Sequence, residues 1–489
     1  MATLLVCRVG GEAVLGPLCF ESPLPVVNLR EKLHESVSVD RSQEMVLLQN
    51  GNVLLDAAKL EGGSLEDPLT ITLVITAKTY RAVVWGPCAD GPQHAEVSEQ
   101  LEGNIKSVAC TGYTFAAVMA AGSVVTWTGN GFESDAANSR GVAGLEDGVQ
   151  QVFGNDKAFV ALKAGGEVVV WGDPEAGGKA PPAVLEKLRG IAWVARTNEA
   201  FAGVKENGQV VTWGNAEFGG DSSSVSESLK ADVVSVVGTF GPSSGAFAAL
   251  KADGSVVAWG DPERGGDLGP AAEQLQSGVT SLCAGGSAFA ALKETGKVVA
   301  WGHPEQGGKL VVHFTDDEAT QESFSVEEEL SSGVVSIVAS DDVFVAVKED
   351  GKVVTWGVAE DGAYLANIEK DVAKELESGV LSVTPAACSF AALKTDGRVV
   401  TWGVDSLGGD SSSVASKLKS GVARIPCFRW PSQHGHAALK EDGSVVTWGF
   451  ELGPIMDAPE DELASGVVEV VGNPTGYVAL KHAPVSSSA

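Results

Sequence analysis

A lysine returns at one place along most of this chain. Lys163, Lys205, Lys251, Lys293, Lys348, Lys394, Lys440 and Lys481 each close a short apolar run such as Phe247-Ala-Ala-Leu-Lys251. Seven of them stand just before a turn, and Lys481 ends the last such run. If the repeats form a ring, these amines gather on one rim. They could dock an acidic partner there, or they could simply keep hairpin ends soluble. The seven histidines (His34, His94, His303, His313, His434, His436, His482) show no His-x-x-x-His spacing. His434-Gly-His436 offers two ligands without cysteine or acid support, short of the three or four protein ligands a zinc site uses. The plainer reading is that His436 replaces a repeat phenylalanine. Gly172-Asp-Pro-Glu-Ala-Gly-Gly178-Lys179-Ala180 comes nearest to a phosphate loop, but its spacing is wrong and no Ser or Thr follows Lys179. No serine-nucleophile elbow is expected. Carboxylate pairs are frequent, as chance dictates among 64 acids. These residues predict no catalytic group, no metal site and no cofactor.

One stretch breaks the regularity. Between Trp301 and Phe344 lies an insertion, Lys309 to Glu329, that mixes Phe314 and Phe324 with acids. Insertions in repeat proteins map to loops and often to a binding face, so Phe314 and Phe324 are candidate partner-binding residues. The plainer reading is a tolerated loop.

The elements that carry these residues are hairpins. Phe247-Ala-Ala-Leu-Lys-Ala-Asp-Gly254-Ser-Val-Val-Ala-Trp259-Gly260 is an apolar run, a glycine turn and a valine run closed by Trp. Glycine occupies the turn in eight such copies, at 122, 166, 208, 254, 296, 351, 397 and 443. This reads as a β-hairpin repeated at a propeller-like period. After Trp-Gly comes an acidic Gly-rich turn, then a short helical stretch such as Ser223–Leu229, where serine suits an N-cap. Ser-Gly-Val-Val-type residues then begin a further strand.

The Trp strands end at Trp85, Trp127, Trp171, Trp213, Trp259, Trp301, Trp356, Trp402 and Trp448. The aromatic strands begin at Phe115, Phe159, Phe201, Phe247, Phe289, Phe344, Phe390, His436 and Tyr477. The two series are out of phase, so Ala82–Trp85 and Tyr477–Lys481 are each left without a hairpin partner. Pairing them with each other predicts a ninth unit and a closed ring. These residues resemble the RCC1-like repeat family, for which Ala438-Leu-Lys-Glu-Asp-Gly443-Ser-Val-Val-Thr-Trp448-Gly449 is a close match. The resemblance implies a β-propeller. The family usually has seven blades, whereas nine repeat units are counted here, and its frequent His before Ala-Leu is mostly Phe.

Residues 1–78 lie outside the repeat. Thr3–Val9 and Ala13–Phe20 read as strands joined by Gly10-Gly11. Val26, Leu29 and Leu33 recur at helical spacing, and Met45–Leu48, Val53–Leu55 and Leu69–Ile75 read as further strands. This order, with Gln43–Asp56 and Leu69–Ile75, resembles ubiquitin. It implies a built-in ubiquitin-like β-grasp domain that continues through Thr76–Thr79 into the repeats in place of a free Gly-Gly tail. Leu47, Thr72 and Val74 match the positions of the patch by which ubiquitin is read. They are expected to share one sheet face; the plainer reading is ordinary surface residues.

The fold class expected is therefore mainly β, with domains at 1–78 (ubiquitin-like, α+β) and 79–489 (RCC1-like propeller). The net charge of −30 disfavours nucleic acid. No apolar run is long enough to span a bilayer. Seven cysteines, an odd number without a Cys-x-x-Cys pair, suit reduced thiols in a cytoplasmic or nuclear protein. The expected function is a non-enzymatic, monomeric interaction scaffold or adaptor. Its expected partners are proteins, of the ubiquitin system or a small GTPase. Two alternatives stand: an exchange factor or regulator of a small GTPase, and the substrate-binding part of a ubiquitin ligase whose catalytic domain is absent here.

Overall fold

Each intact copy of the repeat folds as a three-stranded antiparallel sheet in this computed structural model. The structure describes residues 2–8, 13–20, 24–25, 29, 33, 43–49, 52–53, 59–60, 69–77, 79–129, 138–241, 243–313, 323–357, 370–386, 388–427, 435–449 and 458–482. In the fourth repeat the strands are Val233–Gly238, Ala246–Lys251 and Val256–Gly260. The middle strand is apolar and buried from Ala246 to Leu250, because the neighbouring repeats cover both of its faces, and it ends on half-buried Lys251. Its alanines leave room for the rings. Phe247 stacks on Trp259 with centroids 5.2 Å apart, and the same stack recurs at Phe159–Trp171, Phe201–Trp213, Phe289–Trp301, Phe344–Trp356 and Phe390–Trp402.

The turn of this hairpin is a four-residue turn closed by Gly254 N donating to Lys251 O at 2.9 Å. Gly254 then has φ of +77°, which an L side chain would resist. Asp253 Oδ1 accepts from Ser255 N at 2.9 Å, which explains the Asp-Gly-Ser sequence. The same glycine locks the turn to the following repeat: Gly254 O accepts from Val279 N at 3.1 Å.

Trp-Gly and the Gly-Gly beyond it form a second latch. Trp301 Nε1 donates to Gly265 O at 3.1 Å, while a Cβ on Gly265 would stand 2.7 Å from the Phe289 ring. Trp213, Trp259, Trp356 and Trp448 bond in the same way to Gly177, Gly219, Gly307 and Gly408. Gly266 abuts the Gly260 backbone, where a Cβ would come within 2.5 Å of Gly260 O. The helical stretch is a 3-10 turn, Ser223–Val225, and serine does not cap it. Asp221 Oδ1 accepts from Ser223 N at 2.9 Å instead, and Ser222 Oγ turns to Thr212 Oγ1.

Backbone and side-chain bonds run from repeat to repeat at the opposite end of the strands. Gly112 N donates to Asp156 O, Asp156 N to Asn198 O, Phe240 N to Gly285 O and Gly286 N to Asp341 O. Thr384 Oγ1 donates to Ile425 O at 2.9 Å. Asn473 Nδ2 donates to Thr111 O at 3.2 Å, across 362 residues of chain. The strands Tyr80–Trp85 and Gly476–His482 are neighbours in one sheet, and Trp85 stacks on Tyr477 at 5.3 Å as the Phe–Trp pairs do.

The chain divides into two compact units, of which the second spans Arg81–Lys481. In the N-terminal unit, β1 (Ala2–Arg8), β2 (Ala13–Phe20), β3 (Leu24–Pro25), β4 (Gln43–Gln49), β5 (Asn52–Val53), β6 (Lys59–Leu60) and β7 (Leu69–Ala77) are described. The sheet order is β2-β1-β7-β4-β5, with β1 parallel to β7 and the other pairs antiparallel. Leu29 and Leu33, one helical turn apart, are buried with Ile71. The rest of the expected helix lies outside the described residues.

Candidate functional site

The candidate site is built on the first strands of the repeats. Those at Ile105–Cys110, Val149–Gly154, Ile191–Arg196, Val233–Gly238, Val422–Arg424 and Val467–Asn473 line a common cavity of about 560 Å³. Phe153, Trp193, Arg196, Arg424 and Glu469 are among its walls. Two residues beyond Gly154, which lines the cavity, burial pushes the Asp156 carboxyl up to about 6, against the pull of Arg196. In the sixth repeat, burial pushes Asp341 up to about 7, helped by the charge on Asp342.

Every first strand begins with a residue in the left-handed region: Asn104, Gly148, Gly190, Asp232, Gly278, Gly333, Gly379, Gly421 and Gly466. One residue later the ladder slips. Val233 pairs with Lys251 and Ser235 with Leu250, so Val234 stands out of register as a β-bulge. The same slip frees Val335 and Leu381. Val234, Val335 and Leu381 are 54%, 52% and 61% exposed. The sequence reading missed these positions. The available signal was two successive apolar residues after Gly, as in Gly333-Val-Val, which breaks strand alternation.

The repeated lysines do not form a free crown. Lys163, Lys251, Lys293, Lys348, Lys394, Lys440 and Lys481 each donate Nζ to a main-chain carbonyl at the end of the preceding helical or turn segment. For Lys293 the acceptor is Gln274 O at 2.6 Å, and the stem crosses Gly278, where a Cβ would lie 3.4 Å from Lys293 Cε. The amine thus caps a segment whose last carbonyls lack internal partners.

His436 stacks on Trp448 at 5.2 Å, in the place other repeats give to Phe. Its Nε2 lies 3.0 Å from Ser389 Oγ, and both residues are 1% exposed or less. That pair has the atoms of a nucleophile and base but no access. His434 lies outside the described residues, and no group of three or more metal-binding side chains occurs among the described ones. The phosphate-loop lookalike is filled: a Cβ at Gly177 would meet the Phe201 ring at 2.9 Å, and one at Gly178 the Gly172 carbonyl carbon at 2.3 Å.

One motif contradicts the expectation of no serine elbow. Gly241-Pro-Ser-Ser-Gly245 has the Gly-x-Ser-x-Gly spacing. It joins two antiparallel strands where an elbow needs strand then helix. Ser244 Oγ hydrogen-bonds to Asp261 Oδ2 and accepts from Arg264 Nε, tying the loop to the turn after Trp259-Gly260.

The insertion is in part a β-hairpin. Val311–His313 pairs with Ser323–Ser325, Val312 opposite Phe324, and Val312 pairs in parallel with Gly357 of the next repeat's third strand. Phe324 is therefore a strand residue; Phe314 lies outside the described residues. In the N-terminal sheet the register corrects the expectation of one shared face. Leu47 is opposite Leu73, whereas Thr72 is opposite Leu48 and Val74 opposite Val46. Directly paired residues share a face and successive residues alternate. Leu48, not Leu47, therefore joins Thr72 and Val74.

No protein-family model and no curated protein matches this chain. Solved structures similar to it include Prp20p from Saccharomyces cerevisiae, described with its binding properties to Gsp1p and histones. That match has 15% identity, covers 84% of this chain and 93% of that one, and has a TM-score of 0.37. For human WBSCR16 the values are 14%, 83%, 100% and 0.35. For the ectodomain of the Physcomitrella patens receptor kinase CR4 they are 16%, 61%, 73% and 0.34. These are likenesses of fold alone.

Proposed function

We propose that this chain is a non-enzymatic interaction adaptor, cytoplasmic or nuclear. In this reading a ubiquitin-like β-grasp domain precedes a nine-unit propeller closed by the pairing of the chain's first and last repeat strands. The observation that carries it is the division of roles within each repeat. Residues that recur (Phe, Trp, the glycines, Lys) are spent on stacking and on bonds between repeats. Residues that differ from copy to copy include Phe153, Trp193, Arg196, Arg424 and Glu469, which line the cavity, and exposed Val234, Val335 and Leu381. A scaffold built this way varies its binding surface without disturbing its frame.

The ring count is supported by the nine left-handed residues that precede first strands and by the Asn473–Thr111 bond that brings the last first strand beside the earliest. The β-grasp reading is supported by a mixed sheet with a parallel β1–β7 pair and by buried Leu29 and Leu33. A link to ubiquitin-system partners follows from that domain, through the face on which the pleat puts Leu48, Thr72 and Val74.

The test is affinity capture of binary partners by the full chain and by L48D, with nucleotide release from small GTPases measured in parallel. Binding of ubiquitin-receptor domains that L48D abolishes supports the adaptor reading. Catalysed nucleotide release would replace it with the exchange-factor alternative.

A further inference from the structure

The bulges at the start of the first strands put apolar side chains on the surface beside acids. Val380 N donates to Gly351 O at 3.2 Å, so the turn that carries Asp350 is pinned next to Leu381 of the following repeat. Within the sixth repeat, Glu349 N donates to Gly333 O at 2.9 Å, two residues before Val335. Exposed Val335 and Leu381 therefore bracket the exposed pair Glu349 and Asp350. The neighbouring bases already have partners, Lys394 Nζ among them on Glu375 O and Ser378 O. Lys348 Nζ is held by Glu329 O, and Lys352 Nζ is paired with the Glu329 carboxylate at 2.6 Å. Arg398 is paired with Glu375 at 2.6 Å and Asp396 at 2.9 Å.

A β-bulge costs a ladder position and serves to re-aim a side chain. Here it aims valine and leucine at water, where apolar side chains of a partner would gain by covering them. The chain's formal charge of −30 adds a long-range pull on cations.

We infer that the surface of the sixth and seventh repeats around Val335, Glu349, Asp350 and Leu381 docks a basic segment of a protein partner that also carries apolar side chains. Lysine or arginine of the segment meets the two carboxylates, and its apolar residues cover Val335 and Leu381. The inference rests on the adaptor reading and gives it a surface and a partner chemistry.

The experiment uses the full chain and three labelled peptides of equal length: alternating lysine and leucine, alternating lysine and serine, and alternating glutamate and leucine. Anisotropy is read at low and high salt. The lysine–leucine peptide is expected to bind at least about tenfold more tightly than either other peptide, the loss expected when central contacts are removed. V335S/L381S and E349Q/D350N should each weaken it by about tenfold or more. Both pairs change exposed side chains, so unfolding midpoints should match wild type and show that the variants are folded. Equal binding of the lysine–serine peptide, unchanged binding by V335S/L381S, or wild-type self-association lost in that variant would overturn the site. A partner captured equally well by wild type and V335S/L381S would overturn it while leaving the adaptor reading intact. Loss of all specific capture would defeat that reading itself.

Discussion

Ser389 Oγ lies 3.0 Å from His436 Nε2, and the same hydroxyl donates to Leu407 O at 2.7 Å. A hydroxyl has one proton, so His436 must be the donor, neutral with its hydrogen on Nε2. In most other repeats the two positions hold an apolar residue and Phe, as at Ala246 and Phe289. The one histidine ring in the series thus meets the one serine at its counterpart position.

That pairing predicts a pH dependence. Burial lowers the His436 pKa from 6.5 to about 3. Below about 6.5 the unfolded chain takes up a proton that the folded chain refuses, so stability falls as pH falls toward 3. At pH 5 the loss from this group is about 2 kcal/mol. S389A/H436F restores the pair used elsewhere and should flatten this part of the profile, raising stability at pH 5 more than at pH 8. The raised carboxyls Asp156 and Asp341 act in both proteins and cancel in the difference. Urea unfolding of both proteins at the two pH values checks it; an equal difference at both would refute it.

The lysine caps predict a graded series. Lys293→Met keeps the stem and removes the donor to Gln274 O, and should cost about 1 kcal/mol. Lys205 makes no such bond among the described residues, and the glycine at its station, Gly190, has nothing within 4 Å of a built Cβ. Lys205→Met should therefore shift the urea midpoint least of the set. A uniform shift across all the lysines would return them to the solubility reading.

Glycine substitutions separate backbone strain from collision. Gly190 and Gly265 have φ of +76° and +90°. Alanine at either incurs the left-handed penalty of roughly 1–2 kcal/mol. At Gly265 the added Cβ also meets the Phe289 ring at 2.7 Å, which must move and disturb the Trp301 bond. Gly265→Ala should therefore cost at least about 1–3 kcal/mol more than Gly190→Ala, the usual range for overfilling a core. Thermal unfolding of the two variants measures the difference.

Periodicity made the hairpins, the stacked Trp strands and the unpaired ends legible, because each is written many times in the same residue types. The functional surface was less legible for the same reason. A repeated lysine looks like a feature of the surface until its carbonyl partner is seen, some 19 residues upstream at Gln274 for Lys293. A bulge leaves only a doubled valine behind. Leu47 and Leu48 trade faces with a one-residue slip of register, and a single sequence does not fix register.

The last prediction concerns the seam. Trp85 and Tyr477 stack at 5.3 Å although no turn joins their strands, and Cys88 N donates to Thr475 O at 2.8 Å beside them. In the eight hairpins the chain keeps the two strands together; here the contacts alone must do so. Closing a loop of this length costs entropy that grows only as the logarithm of its length. In return, two strand edges are paired and the flanking repeats are covered. Removing residues 477–489 should therefore lower the unfolding midpoint of the whole repeat unit. Hydrogen exchange should rise first in the strands on either side of the seam, Thr114–Met119 and Gly435–Lys440, and last in Ala246–Lys251. The milder Asn473→Ala removes only the bond to Thr111 O and should show the same order of exchange with a smaller shift. If the truncated chain keeps its midpoint, or Ala246–Lys251 exchanges first, the ring is not held at this seam.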